Sequence, residues 1–425
     1  MALLGVSHRA RPLAPADAMW YWFATKFPTD QFMVFAFAGR PDSVARTVAE
    51  LLDRARSNPF LAVRIHEDRL GLQFPHWVPS QVGPDQCVVH ELDEPTWSGF
   101  LAALAVLTDR QLDPRTAAWR LHVFTPVVDV PGSPDCATIV VLQISHALGD
   151  GPRSAALAGY LFGRDAGPSD VSIDAPGGLV RKAAAALRAR RALDRDTEAG
   201  LVPPVKPRVP ALSTNHRPTG QRILRTLVRP ASDLPGPTPT VGALVAVSEA
   251  LSGYLSARGE DPARLTAAVP MTRSGVAHAY NHVDTALVGL HPDAAGRAER
   301  IRLIAADLVA WRQRSQHPAF VADERAFAAI PAPLRRLGIR RINSLRNPTM
   351  VPGNTVVSSV DRGPADLSFG GCRVLFTAGY PLLLPILNLA HGVHRIGDTV
   401  AVSVHATTAT DVDEYVGRLE AALSQ

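Results

Sequence analysis

Cysteine is scarce in this chain: Cys87, Cys136 and Cys372 are odd in number, far apart and without C-x-x-C spacing. That pattern excludes a disulfide framework and a cysteine-based zinc site, and it suits a reducing compartment. Aromatic residues make up only 6%, and none is interleaved with the basic clusters. No recognised nucleic-acid motif accompanies those clusters either, so nucleic-acid binding is a poor reading of the charge. No stretch reaches the about 18 uncharged apolar residues of a membrane span. The opening "MALLGVSHRARPLAPADAMW" also lacks the apolar centre, about 7–15 residues long, of a signal peptide. A cytoplasmic protein is expected, with a peripheral membrane contact left open.

What the chain does contain is the balance of a folded protein, 46% hydrophobic and 20% charged over 425 residues, enough for two or three domains. Its net charge of +5, carried mainly by arginine, is suited to an anionic ligand or surface. Helical and strand-like patterns alternate. "QFMVFAFAG", "RTAAWRLHVFTPV" and "ATIVVLQISH" predict strands and "SVARTVAELLDRAR" a helix; later "TVGALVAVSEALSGYLSAR" and "AERIRLIAADLVAWRQRS" predict helices, "GDTVAVSVHATTAT" a strand. Proline and glycine break the pattern over 166–210. The expected organisation is an α/β half over 1–165, a crossing over 166–210 and a second α/β half over 211–425, with a pocket at their interface.

One stretch carries chemistry. In "SHALGDG", Ser145 to Gly151, a strand delivers His146 into a turn, Asp150 follows four residues later, and Gly151 supplies freedom in φ before a helix. Histidine at a strand end suits general-base work, because a neutral imidazole accepts a proton near pH 7. The bland alternative makes His146 a turn residue and Asp150 the N-cap of the following helix. A degenerate nucleotide loop, G-x-G-x-x-S through Gly149, Gly151 and Ser154, is a third reading, and it predicts dinucleotide binding. A metal at His391, His394 and His405 lacks ligand spacing.

The stretch resembles the H-H-x-x-x-D-G signature of acyltransferases related to peptide-synthetase condensation domains, nearest to the bacterial wax ester synthase/diacylglycerol acyltransferase branch. Four further segments match that branch in order. "RPLAPADAMWYW" resembles its P-L-S-P-x-D opening through Pro12, Leu13, Pro15 and Asp17; "LDPRTAAWRLHV" keeps Leu112, Asp113 and Trp119; "LSTNHRPTGQR" keeps Asn215, Pro218, Gly220 and Arg222; and "AAVPMTRSGVAHAYNHV" keeps Val269, Pro270, Arg273 and Asn281. The resemblance implies two subdomains like chloramphenicol acetyltransferase, paired as a pseudo-dimer around a central channel. It implies an acyl group moving from a coenzyme A or carrier-protein thioester to an alcohol, with His146 as general base and no cofactor beyond the thioester. Ser145 stands where the first histidine falls and assists; Asp150 is mainly structural, with Arg273 as its expected salt-bridge partner. Ser358, Ser359, Asn281 and Trp119 are assigned to substrate binding.

The chain departs from that pattern at three places. Besides Ser145, the Asn-Asp pair that opens the family's central helix is replaced by Gly242 and Ala243, and Ser359 stands where a late asparagine would fall. Each lost oxyanion donor is worth about 3–4 kcal/mol in a transition state, so a specialised acceptor, a carrier-bound donor or a degenerate binding protein enters as the alternative. Two basic stretches, "LVRKAAAALRARRALDR" and "PLRRLGIRRINSLR", read as a solvated face and as an amphipathic surface for coenzyme A phosphates or anionic lipid. The segment "GYPLLLPILNLAHG" reads as core or as channel lining.

Overall fold

The computed structural model describes residues 10–173, 177–342 and 348–424. Among them lie two mixed six-stranded sheets, one per lobe. The first runs in the order Ser368–Phe369, Cys372–Gly379, Gln31–Ala38, Cys136–Ile144, Trp119–Val128, Cys87–His90. The second runs Val283–Gly289, Thr266–Thr272, Thr355–Asp361, Leu389–Ile396, Thr399–Thr407, Arg222–Pro230.

The strand Gln31–Ala38 is apolar almost throughout because both of its faces are covered. Met33, Phe35 and Phe37 face the core beneath the helices Val44–Ser57 and Gly151–Leu161, whereas Phe32, Val34 and Ala36 share a core with Leu224 and Ala401 of the second lobe. Each buried Phe, Met or Val among them contributes about 1.5–3 kcal/mol. The helix Pro239–Ser256 is likewise apolar on nearly every side, and it sits inside the second lobe's core. Sequence order alone would leave Cys372–Gly379 in the second half. It instead crosses back and pairs antiparallel with Gln31–Ala38, completing the first lobe's sheet.

Between 166 and 210, the helix Leu179–Glu198 docks on Pro318–Ala328 through a small cluster of Leu193, Val202 and Ala319, with Arg190 paired to Asp323 at 2.9 Å. The second basic stretch forms the helix Ala332–Arg340 and is partly turned inward. Arg335 is buried with its guanidinium 3.5 Å from the Phe327 ring centre, and Arg336 meets Glu67 at 3.2 Å. Leu345 and Arg346 lie outside the described residues. Within "GYPLLLPILNLAHG", Leu383, Leu387 and Ala390 form a small buried cluster. His391 bonds Thr355 Oγ1 at 3.0 Å and Tyr415 OH at 2.7 Å, the setting of a satisfied core histidine.

The lobes meet backbone to backbone where Gly392 of Leu389–Ile396 faces the carbonyl of Gly379; a Cβ at 392 would strike that oxygen. Gly392→Ala should therefore overpack the junction and cost about 1–3 kcal/mol. A lower urea midpoint with an unchanged m-value is expected, and an unshifted midpoint would contradict this packing.

Candidate active site

The strand Cys136–Ile144 ends where Ser145 N–H donates to Ala118 O at 2.9 Å, and a single 3₁₀ turn over His146–Leu148 follows. Asp150 then starts the helix Gly151–Leu161: its Oδ1 accepts from Arg153 N at 3.0 Å, the bond of an N-cap. Its Oδ2 accepts from His282 N at 2.9 Å, and Asp150 N donates to Tyr280 O at 3.2 Å. The N-cap and the structural site residue are thus the same carboxylate, which ties the first lobe's motif to a second-lobe loop. Gly151 is needed for a reason other than freedom in φ. It is absent from the positive-φ glycines, and a Cβ on it would come within 2.8 Å of Val360 Cγ2, so the strand Thr355–Asp361 passes close by.

Three hydrogen-bonded groups from distant parts of the chain meet at His146. Asn281 Nδ2 donates to Asp17 Oδ1 at 2.9 Å and to His146 O at 2.8 Å, which fixes the amide and turns its Oδ1 toward His146 Nδ1 at 2.9 Å. An amide oxygen can only accept, so Nδ1 carries the proton and Nε2 keeps its lone pair. Asp17, 1% exposed on the helix Pro15–Phe23, also accepts from Tyr280 N and Asn281 N at 2.9 and 2.8 Å. Trp20, one turn along that helix, stacks on the imidazole with ring centres 3.8 Å apart and planes 8° off parallel.

Burial pushes the partly exposed His146 down to about 4, against the opposing pull of its hydrogen bonds and of Asp150, so the ring is neutral at pH 7. Burial pushes Asp17 up to about 6, outweighing the donors that surround it. Around this centre, Gln31 Nε2 donates to Gly149 O at 2.6 Å, and the Arg153 guanidinium lies 3.6 Å from the Tyr280 ring centre, bracing the second-lobe loop. The arrangement presents a neutral, oriented nitrogen base.

Several residues expected at the site stand elsewhere. Trp119 is fully buried in the first lobe, its Nε1 donating to Leu61 O at 2.8 Å, so it is a core residue. Arg273 pairs with Glu324 at 3.3 Å and donates to Val283 O, while each carboxylate oxygen of Asp150 accepts from a backbone N–H group. Asn281, assigned to substrate binding, has its amide engaged with His146 and Asp17, where it orients the imidazole. Ser145 is buried behind the turn. Ser359 Oγ accepts from Thr240 Oγ1 at 2.8 Å, at the start of the helix Pro239–Ser256, with Ser358 beside it on Thr355–Asp361. A Cβ on Gly242 would stand 2.5 Å from Pro235 O, so this glycine is a packing residue. Asp17 and Trp20 are the additions; the opening segment "RPLAPADAMWYW" contains both, and only the three-dimensional contact reveals their work. Among the described residues no group of three or more His, Cys, Asp or Glu could hold a metal ion.

No family model matches the chain, and no curated protein matches it by sequence. Solved structures do. The wax ester synthase/diacylglycerol acyltransferase from Marinobacter aquaeolei VT8 covers 97% of this chain and 98% of its own, with a TM-score of 0.63 at 18% identity. The fold is the one shared by that enzyme and the condensation domains. The first condensation domain of the CDA synthetase superposes with a TM-score of 0.58 at 15% identity, covering 98% of this chain and 97% of its own. The starter condensation domain of rhizomide synthetase RzmA, a mutant in complex with C8-CoA and Leu-SNAC, gives 0.57 at 13% identity, covering 97% and 93%. The two-lobed condensation fold thus spans the chain.

The acid limb of the pH–rate profile should not fall at the 6.5 of a free imidazole. Protonation of Asp17 near 6 weakens its hold on Asn281 first, and protonation of His146 near 4 takes up the Nε2 lone pair. Asp17→Asn should remove the upper break and lower kcat by at least about 10-fold, below the roughly 10⁴ for a carboxylate that touches the histidine directly. A single break at 6.5 in the wild type would contradict the ladder.

Proposed function

We propose that the chain transfers an acyl group from a coenzyme A or carrier-protein thioester to an alcohol, with His146 as general base. The observation that carries this reading is the His146 ring itself: neutral, held by Asn281, with Nε2 left as the proton acceptor. In the step, Nε2 takes the hydroxyl proton as the oxygen attacks the thioester carbonyl. The C–S bond then breaks, and the imidazolium returns the proton to the departing sulfur, leaving an ester and a free thiol. Ser359 accepts from Thr240, so its own O–H is free to donate to the developing oxyanion. The acyl-coenzyme A in the RzmA structure supports a thioester donor by analogy of fold. A cytoplasmic setting belongs to the same reading, as does a peripheral surface contact through exposed Leu334, Leu337 and Ile342 beside Arg340 and Arg341.

A second reading, a relative that binds in the cleft without turnover, draws on Gly242 and Ala243, which offer no side-chain donor. Thiol release from a panel of acyl-coenzyme A donors, with and without long-chain alcohols, diacylglycerol and small polyols, separates the two. Acceptor-dependent release that falls by about 10²–10⁴ in folded His146→Ala is expected. Release unchanged in His146→Ala, or absent from folded wild type with coenzyme A and carrier-bound donors alike, would favour the binding protein.

A further inference from the structure

Arg362 is a buried cation for which no described residue supplies a counter-ion. It directly follows the strand Thr355–Asp361, is 4% exposed, and is pinned at its backbone: its N–H donates to Arg395 O at 2.8 Å and its carbonyl accepts from Arg164 Nη1 at 2.9 Å. Its side chain is poorly matched. Nη1 points at Met33 Sδ, 2.7 Å away, and Nε is buried with no partner. The neighbouring carboxylates are engaged elsewhere, Asp361 with Arg395 and the Gly363 N–H, and Asp366 with Arg164. Burial pushes this guanidinium down to about 9, and no anion opposes it. Two other buried arginines with unpartnered nitrogens are better served. Arg153 lies 3.6 Å from the Tyr280 ring centre and donates to Ser169 O; Arg335 lies 3.5 Å from that of Phe327 and donates to Pro15 O. Arg362 lies over the Phe35 ring at the longer distance of 5.7 Å from its centre.

A second unmatched group adjoins it. His394, 5% exposed, lies opposite Val360 in the parallel register of the second sheet, and its Nδ1 is buried without a partner. Its ring occupies the space that Gly379 and Gly392 leave at the junction of the lobes. The pair is close to the motif from two directions. A Cβ on Gly151 would strike Val360, and Arg362 is two residues further along the chain. Met33, its contact, is two residues and thus about 7 Å from Gln31 on the same face of its strand, and Gln31 bonds Gly149 O.

Buried charges in proteins are paired, because an unpaired one costs several kcal/mol. A guanidinium with an unpartnered Nε and an imidazole with an unpartnered Nδ1, both beside the motif, have the donor chemistry for a carboxylate. We propose that Arg362 and His394 receive a carboxylate carried by one of the two substrates, so that either the transferred acyl group or its acceptor is an acid. The inference rests on the acyl-transfer reading for what the ligand is, but not for whether the anion binds.

Calorimetric titration tests it with matched pairs: succinyl-coenzyme A against butyryl-coenzyme A for the donor, and 3-hydroxybutyrate against 2-butanol for the acceptor. Wild type should prefer the carboxylate of one pair by about 10-fold or more, the equivalent of one charge-assisted hydrogen bond. Arg362→Met should erase that preference without lowering the melting temperature, since exchanging a lone buried charge for an apolar side chain relieves the fold. Arg362→Lys, which keeps the charge without the fork, should retain part of the preference and serves if the methionine variant does not fold. No preference in either pair, or one that survives both substitutions, overturns the proposal. A preference erased in Arg362→Met while no thiol is released from any donor would leave the anion site standing and remove the acyl-transfer reading.

Discussion

The side chain of Asn281 is the joint on which the rest of the site depends. Its amide and backbone make bonds to Asp17 on the first helix, to His146 in the motif turn and to that histidine's own carbonyl, so three segments far apart in sequence are fixed at one point. The group is buried, and in low dielectric each bond is stronger and each lost partner more costly than in water. The neighbouring residues of the loop are held by the same logic. Asp17 accepts from 280 and 281, and Asp150 accepts from 282, so two first-lobe carboxylates bind consecutive amides of the second lobe. The relative placement of the lobes and the orientation of the imidazole are therefore one constraint.

That constraint also sets the electrostatics. A histidine open to water would be partly protonated near neutrality; here burial beneath Trp20 and against the loop keeps the ring neutral, while the Asn281 oxygen selects which nitrogen holds the proton. The result is a neutral imidazole oriented by an amide, with no carboxylate in direct contact. Asp17 acts one step removed, through an amide, and its own carboxyl is raised by the burial that neutralises His146. Both shifts follow from closing the interface between the lobes.

Much of this was legible in the sequence, and the failures have physical causes. The strand, turn and helix around "SHALGDG" were visible because apolar periodicity, an N-cap carboxylate and Pro152 are local signals. Arg273 was misplaced as the partner of Asp150 because sequence offers charges to pair by sign, whereas the carboxylate is satisfied by backbone amides, which every residue has and no pattern marks. Trp119 matched a motif that turns out to serve the core. Gly242 looked like a lost donor but is the residue that lets Pro235 pass. The return of Cys372–Gly379 to the first sheet, and the meeting of Asp17 with Asn281 across 264 positions, are long-range facts that no local pattern carries.

The most direct test of the account is the protonation pattern of the His146 ring, read by ¹⁵N NMR of histidine-labelled protein at neutral pH, with its signals assigned by their loss in His146→Ala. The account predicts, at neutral pH, a neutral ring with the proton on Nδ1 and a bare Nε2, and no imidazolium until the pH falls well below 6. A proton on Nε2, or an imidazolium at neutral pH, would contradict it.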